Sequence, residues 1–397
     1  MADAATSRQP RIWSIDGMRR ASVIALTLLL AACGAVVPRT QRPASHTPPP
    51  PVAKPSQQGN LPEDNERHRV ALLVPLSGSA AAVGQSIANA AALALADTGG
   101  KKLRITNYDT ATGAAAAAQK ALADGNQLFL GPLLGEDVRA VSGLAAAAHV
   151  PVIAFSNDAS VVGDNVWLLG FSPAQSVDRV VRYAKSQGLT RFAGLIPQGL
   201  YGRNASRALI RSAEAAGGSV VAMQNYDRSA KSLAAAVTAL SKQRYDAVLI
   251  ADSGRIAVAS VPLIRKQGGA SVRLLGTELW NAEPGLNASA AMAGAWFASV
   301  DDTVFGQLAK RYRARYGRTP YRLASLGYDS VLLTVRIAAD WPLKSPFPVG
   351  KLADEGGFSG VDGAFRFGDS HIAERALAVH QLGAGGGSIV SPAPKGF

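Results

Sequence analysis

The side chains best placed for chemistry follow two apolar runs of strand length. Val70-Ala71-Leu72-Leu73-Val74 ends in Pro75-Leu76-Ser77-Gly78, and Pro151 to Phe155 ends in Ser156-Asn157-Asp158. Ser77 and Gly78 can offer a hydroxyl and exposed amides near a helix N-terminus, which suits a carboxylate or another small anion. Ser156 and Asn157 add short polar groups at a second strand end. Taken singly, each such loop also reads as a turn or a helix cap. Gly84-Gln85-Ser86 misses a phosphate loop, because Gln85 stands where the lysine belongs and the spacing is one residue too long. The five histidines, His46, His68, His149, His371 and His380, share no metal spacing. No Gly-x-Ser-x-Gly elbow is present. Asp301-Asp302 precedes a helix and reads as helix-start charge. The run Lys310 to Arg318 fits an arginine-rich solvated helix face better than an RNA-binding arm. Nothing asks for an enzyme, a metal or a cofactor.

The single cysteine, Cys33, cannot form an intramolecular disulfide and is a poor metal site. It follows Arg8, Arg11, Arg19 and Arg20 and the apolar run Ala21 to Ala32. That run would span roughly 18 Å as a helix, too short for the ~30 Å core of a bilayer. A basic region, a short apolar region and small residues before the cysteine resemble a bacterial lipoprotein signal. On this reading residues 1–32 are removed and Cys33 carries the lipid, with Met1 or Met18 as the start. Gly34 follows the cysteine in place of an aspartate, so the expected location is the periplasm, anchored to the outer membrane. Residues 33–68 are rich in proline, including Pro48 to Pro51, and read as an extended tether. The net charge of +13 favours anionic partners at the cell envelope. Nucleic acid is not expected for an exported chain.

Something must position the loops, and the pattern supplies it. From residue 69 short apolar strands alternate with helices, Ala80 to Asp97 and Glu136 to His149 among them, and a second series of the same style starts near Val177. The fold class is α/β, with two doubly wound parallel-sheet lobes joined by hinge crossovers. Residues 69–170 form the first lobe, with a return over roughly 300–345. Residues 171–299 form the second, with a return over roughly 346–385. Residues 386–397 are left as a flexible tail.

The order of Pro75-Leu76-Ser77-Gly78, Gly131-Pro132-Leu133, Val150 to Ala154, Tyr201-Gly202 and Leu326-Gly327-Tyr328-Asp329-Ser330 resembles the type 1 periplasmic solute-binding proteins, the leucine-binding class. The resemblance runs from Arg69 to about Leu382. It implies a cleft in which Ser77 meets a ligand carboxylate, Tyr201 stands at the start of a second-lobe helix, and Glu278 pairs with a ligand ammonium. Asp252-Ser253 stands where that family often has an aromatic, and Asp158 adds a carboxylate that would repel a bound one. Gly131 to Val138, Pro151 to Asn157 and Gly170-Phe171-Ser172-Pro173 resemble the penicillin-binding-protein activator lipoproteins. That implies a regulator of peptidoglycan synthesis whose partner is a peptidoglycan synthase. The alternative is the solute-binding component of an ABC importer, with a permease as partner and a small amino acid-like ligand. The residues expected at the cleft are Ser77, Gly78, Ser156, Asn157, Tyr201, Ser253 and Glu278.

Overall fold

A computed structural model describes residues 64–394 except 268, 270, 284, 287, 288 and 384–386. The signal, Cys33 and nearly all of the expected tether lie outside the described residues. The first lobe runs β1 His68–Val74, α1 Ala81–Asp97, β2 Leu103–Asp109, α2 Ala114–Ala123, β3 Leu128–Leu130, α3 Gly135–Ala147, β4 Val152–Ala154 and β5 Val166–Leu168. The second runs α4 Pro173–Ser186, β6 Arg191–Pro197, α5 Leu200–Ala215, β7 Ser219–Tyr226, α6 Ala230–Leu240, β8 Ala247–Ile250, α7 Gly254–Lys266, β9 Arg273–Gly276 and β10 Trp296–Ser299. The chain then continues through α8 Asp302–Tyr316, α9 Ala324–Ala338, β11 Phe358–Gly360, β12 Gly363–Phe367, β13 Ala373–Arg375, β14 Ala378–Gln381 and β15 Ser388–Ser391.

The first sheet has the order β2-β1-β3-β4-β5, all parallel. In the second, β7-β6-β8-β9-β10 repeats that order, and antiparallel β14 and β15 extend its far edge. Buried strands need cover on both faces. Two apolar clusters flank each sheet accordingly, one lined by α1, α8 and α9 and its opposite by α2 and α3 in the first lobe. Val70 to Val74 are wholly buried, and each such large aliphatic side chain contributes about 1.5–3 kcal/mol.

Both lobes close the first strand–helix turn in the same way. Gly84 lies so near the end of β1 that a Cβ would sit 1.7 Å from the Pro75 carbonyl oxygen. At Gly202 a Cβ would sit 1.8 Å from the Pro197 oxygen at the end of β6. Only glycine lets each helix start this close to its strand.

The lobe boundaries differ from the expected ones. Residues 346–375 stay with the first lobe, because Leu352, Phe358, Phe365 and Phe367 enter the same core as Val70 and Leu72. β11, β12 and β13 form a small third sheet there. Only from β14 does the chain rejoin the second lobe. The expected flexible tail is also corrected, since Ser388–Ser391 pairs with β14 as β15. Asp301 accepts a hydrogen bond from the Thr303 amide at 2.8 Å, which makes it the cap of α8.

Candidate functional site

In both sheets the strand order reverses beside the first strand of the lobe, β1 in one and β6 in the other. Open α/β sheets bind ligands beyond the carboxyl ends of strands at such a switch point. The loops and helix starts at that end carry all seven expected residues, but the structure treats them differently.

In the first lobe two of the four, Ser77 and Ser156, are engaged in holding their own loops. Ser77 and Gly78 are exposed, with Gly78 at φ +69°. The Ser77 hydroxyl is bonded to Asp109 at the end of β2, whose carboxylate also accepts the Leu76 amide at 2.7 Å and the Ala111 amide at 3.0 Å. Burial alone would raise the Asp109 carboxyl, but these hydrogen bonds prevail and hold it below its ordinary value. Ser156 is buried, and its Oγ accepts the Asp158 amide at 3.1 Å. Asp158 caps a short 3-10 helix through Ser160 and pairs with Arg139 of α3, so the extra carboxylate already has a counter-charge. Asn157 is exposed and has no side-chain partner among the described residues.

The second lobe brings two of the expected residues into contact. Tyr201, in the first turn of α5, donates its hydroxyl to Glu278 Oε1 at 2.9 Å and stands 2.8 Å from Thr277 Oγ1. Ser176, in the first turn of α4, donates to Glu278 Oε2. Glu278 opens a short 3-10 helix, Glu278–Ala282, after β9. Trp280 pins that helix by donating Nε1 to the Asp252 carbonyl at 3.0 Å and by packing over Gly276, where no Cβ would fit. Asp252 is occupied by the Tyr226 hydroxyl at 2.7 Å and by Arg228 at 2.8 Å. Ser253 caps α7 by accepting the Ile256 amide at 3.5 Å.

Glu278 thus differs from the other strand-end carboxylates Asp158 and Asp252. Hydroxyls hold it, yet no cation lies within ion-pair distance among the described residues. Burial pushes its carboxyl above the ordinary value, and the Ser176 and Tyr201 hydrogen bonds only partly offset this. Burial, and next the Glu278 charge, hold the Tyr201 phenol well above its own. A half-buried carboxylate lacking a counter-charge is chemically suited to an ammonium group.

Ser77, Ser156 and Asn157 make no hydrogen bond to Tyr201 or Glu278 among the described residues. Neither Ser176 nor Thr277 stands out in the sequence, since a hydroxyl in a helix's first turn or just before a short helix looks like any cap. Among the described residues no three histidine, cysteine or acidic side chains gather as a metal site.

Solved structures share this architecture. A Rhodospirillum rubrum protein assigned to a branched-chain amino acid ABC transporter superposes with a TM-score of 0.72 at 19% identity, over 82% of this chain and 100% of its own. A leucine-binding protein of Thermotoga maritima gives 0.64 at 18% identity, over 83% and 99%. An ABC transporter solute-binding protein of Rhodopseudomonas palustris, in complex with 3,4-dihydroxybenzoic acid, gives 0.63 at 18%, over 83% and 99%. At these identities the likeness is one of fold. An uncharacterized protein of Rickettsia prowazekii is 25% identical over 149 residues, which are 37% of this chain and 40% of that protein's length. The sequence profile of the periplasmic binding proteins matches residues 68–387, and the chain belongs to that family.

Proposed function

We propose that this protein captures a small amine-bearing solute between its lobes and hands it to an ABC permease. The observation that carries the reading is Glu278, held by Ser176 and Tyr201 and lacking a cation. Asn157 and the exposed amides at Gly78 supply contacts from the first lobe. Binding, not catalysis, accounts for such a site, and the fold relatives from Thermotoga maritima and Rhodopseudomonas palustris are a leucine-binding and a solute-binding protein. The wall-synthesis activator reading rests on short loop motifs alone, and the family match favours solute capture over it.

A thermal-shift panel of L-amino acids, simple amines and benzoates tests the proposal. A ligand at about 100 times its dissociation constant should add roughly 2.7 kcal/mol of stability. Glu278→Gln should remove the shift for amines by leaving the ammonium without its counter-charge. No shift with any compound, together with recovery of a peptidoglycan synthase from detergent extracts, would restore the activator reading.

The site of action is proposed to be the periplasm, with the lipid on Cys33 as anchor. Cys33→Ser should move the protein from the membrane fraction to the soluble periplasmic fraction. Unchanged fractionation would remove the anchor.

A further inference from the structure

Among the described residues the chain passes between the lobes three times: at residues 169–172, at 300–302 and at 375–377. An ionic cluster gathers at these passages. Arg375, on the third, donates to the Leu169 carbonyl on the first at 2.7 Å. The guanidinium groups of Arg375 and Arg322 lie 4.6 and 5.8 Å from the Phe171 ring. Arg322 pairs with Asp362 at 2.7 Å and with Asp302, on the second passage, at 3.1 Å. Asp329 completes the cluster by accepting the Val361 amide at 2.7 Å and the Asp362 amide at 3.2 Å. Every crossing therefore contributes a group to one cluster.

Glu278 sits between two side chains tied to these crossings. On one side Asn281, in the same short helix, donates to Asp302 at 2.8 Å. On the other, Ser176 holds the Glu278 carboxylate, and its neighbour Gln175 grips the third crossing. Gln175 Nε2 donates to the Ala373 carbonyl at 2.7 Å, and its Oε1 accepts the Arg375 amide at 2.9 Å. The Gln175 contacts are anchored to the backbone of the third crossing, and the Asn281 contact reaches the Asp302 side chain on the second, so the Glu278 helix and the start of α4 are both tied to the crossings.

We infer that Gln175 and Asn281 are positioning residues that couple the Glu278 site to the hinge, so that the charge state of the site sets the disposition of the crossings. This rests on the solute-capture reading for its biological use, although the coupling itself can be measured without a ligand. An allosteric claim needs a coupling energy, not a chain of contacts.

A mutant cycle read by hydrogen exchange supplies it. In the full chain, Glu278→Gln neutralises the site with little change of shape. It should alter exchange at residues 170–172 and 375–377 by about fivefold or more, the lower range of ordinary couplings. In a Gln175→Leu, Asn281→Ala background the same substitution should leave those amides unchanged. Exchange within β1 and β6 reports that both lobes remain folded. If the paired variant fails that control, Asn281→Ala alone should at least halve the effect at both crossings. An equal Glu278→Gln effect with and without Gln175 and Asn281, or none in either, overturns the inference. A thermal-shift panel with no responding compound would instead remove solute capture and leave this coupling standing on the exchange data.

Discussion

Alanine at Gly84 or Gly202 should cost about 3 kcal/mol or more, at the upper end of what forced overpacking produces. Each added Cβ meets a main-chain carbonyl, the Pro75 oxygen at 1.7 Å or the Pro197 oxygen at 1.8 Å. A flexible side chain could turn aside, but a strand-end carbonyl moves only with its strand. Relief therefore requires α1 to slide from β1, or α5 from β6. At Gly202 the slide would also carry Tyr201 away from Glu278, so the amine binding proposed for that site should fall together with stability. Gly143→Ala provides the control of opposite sign. Gly143 is inside α3 with nothing within 4 Å of its would-be Cβ, and alanine there should add up to about 1 kcal/mol through helix propensity alone. Urea unfolding of the three variants decides the matter. A loss below 1 kcal/mol at both Gly84 and Gly202 would mean that the helix–strand packing is softer than the geometry implies.

Those two glycines show what one sequence can reveal. Alternation of apolar runs with Ala-rich helices places nearly every strand and helix, because buried parallel strands and their covering helices leave separate periodic signatures. Pro75 to Gly84 mark the helix start beside the first switch point for the same reason. Tyr201-Gly202 marks the helix start beside the second switch point only through the family resemblance, since the periodic pattern begins that helix later, near Asn204. The lobe assignment of residues 346–375 was hidden, since Phe358, Phe365 and Phe367 would fill either core equally well. Glu278 and Tyr201 were legible only through family resemblance. Their partner Ser176 was not legible, because its role depends on α4 lying beside the end of β9. Arg322, Asp329, Asp362 and Arg375 were equally silent as a cluster. Charged residues read singly look solvent-facing, and only the convergence of three crossings buries them.

That buried cluster should give the protein an unusual dependence on pH. Asp329 is wholly buried, and burial followed by the neighbouring Asp362 charge raises its carboxyl from 3.8 to about 7, against the pull of Arg375. Between those values the folded chain holds a proton that the unfolded chain has released. Stability from this group is therefore complete below about pH 4 and is lost as pH rises toward 7. The slope is roughly 1.4 kcal/mol per pH unit until it levels near the folded value, on the order of 2–3 kcal/mol between pH 5 and 8. Glu278, also raised by burial, adds to the decline. His68 and His380 oppose it below their ordinary value, because burial lowers both and the unfolded chain takes up the protons. Asp109 and Asp158, held low by their hydrogen bonds, have contributed fully before pH 5. Asp329→Asn removes this titration together with its interaction with Asp362. The amide costs stability at pH 5, where it leaves an acceptor of the Val361 and Asp362 amides missing. It should recover on the order of 2–3 kcal/mol relative to the wild type by pH 8. Urea unfolding of both proteins at half-unit intervals measures that difference. Parallel curves across the range would mean that Asp329 is ionised throughout, with Arg375 and Arg322 outweighing both its burial and Asp362.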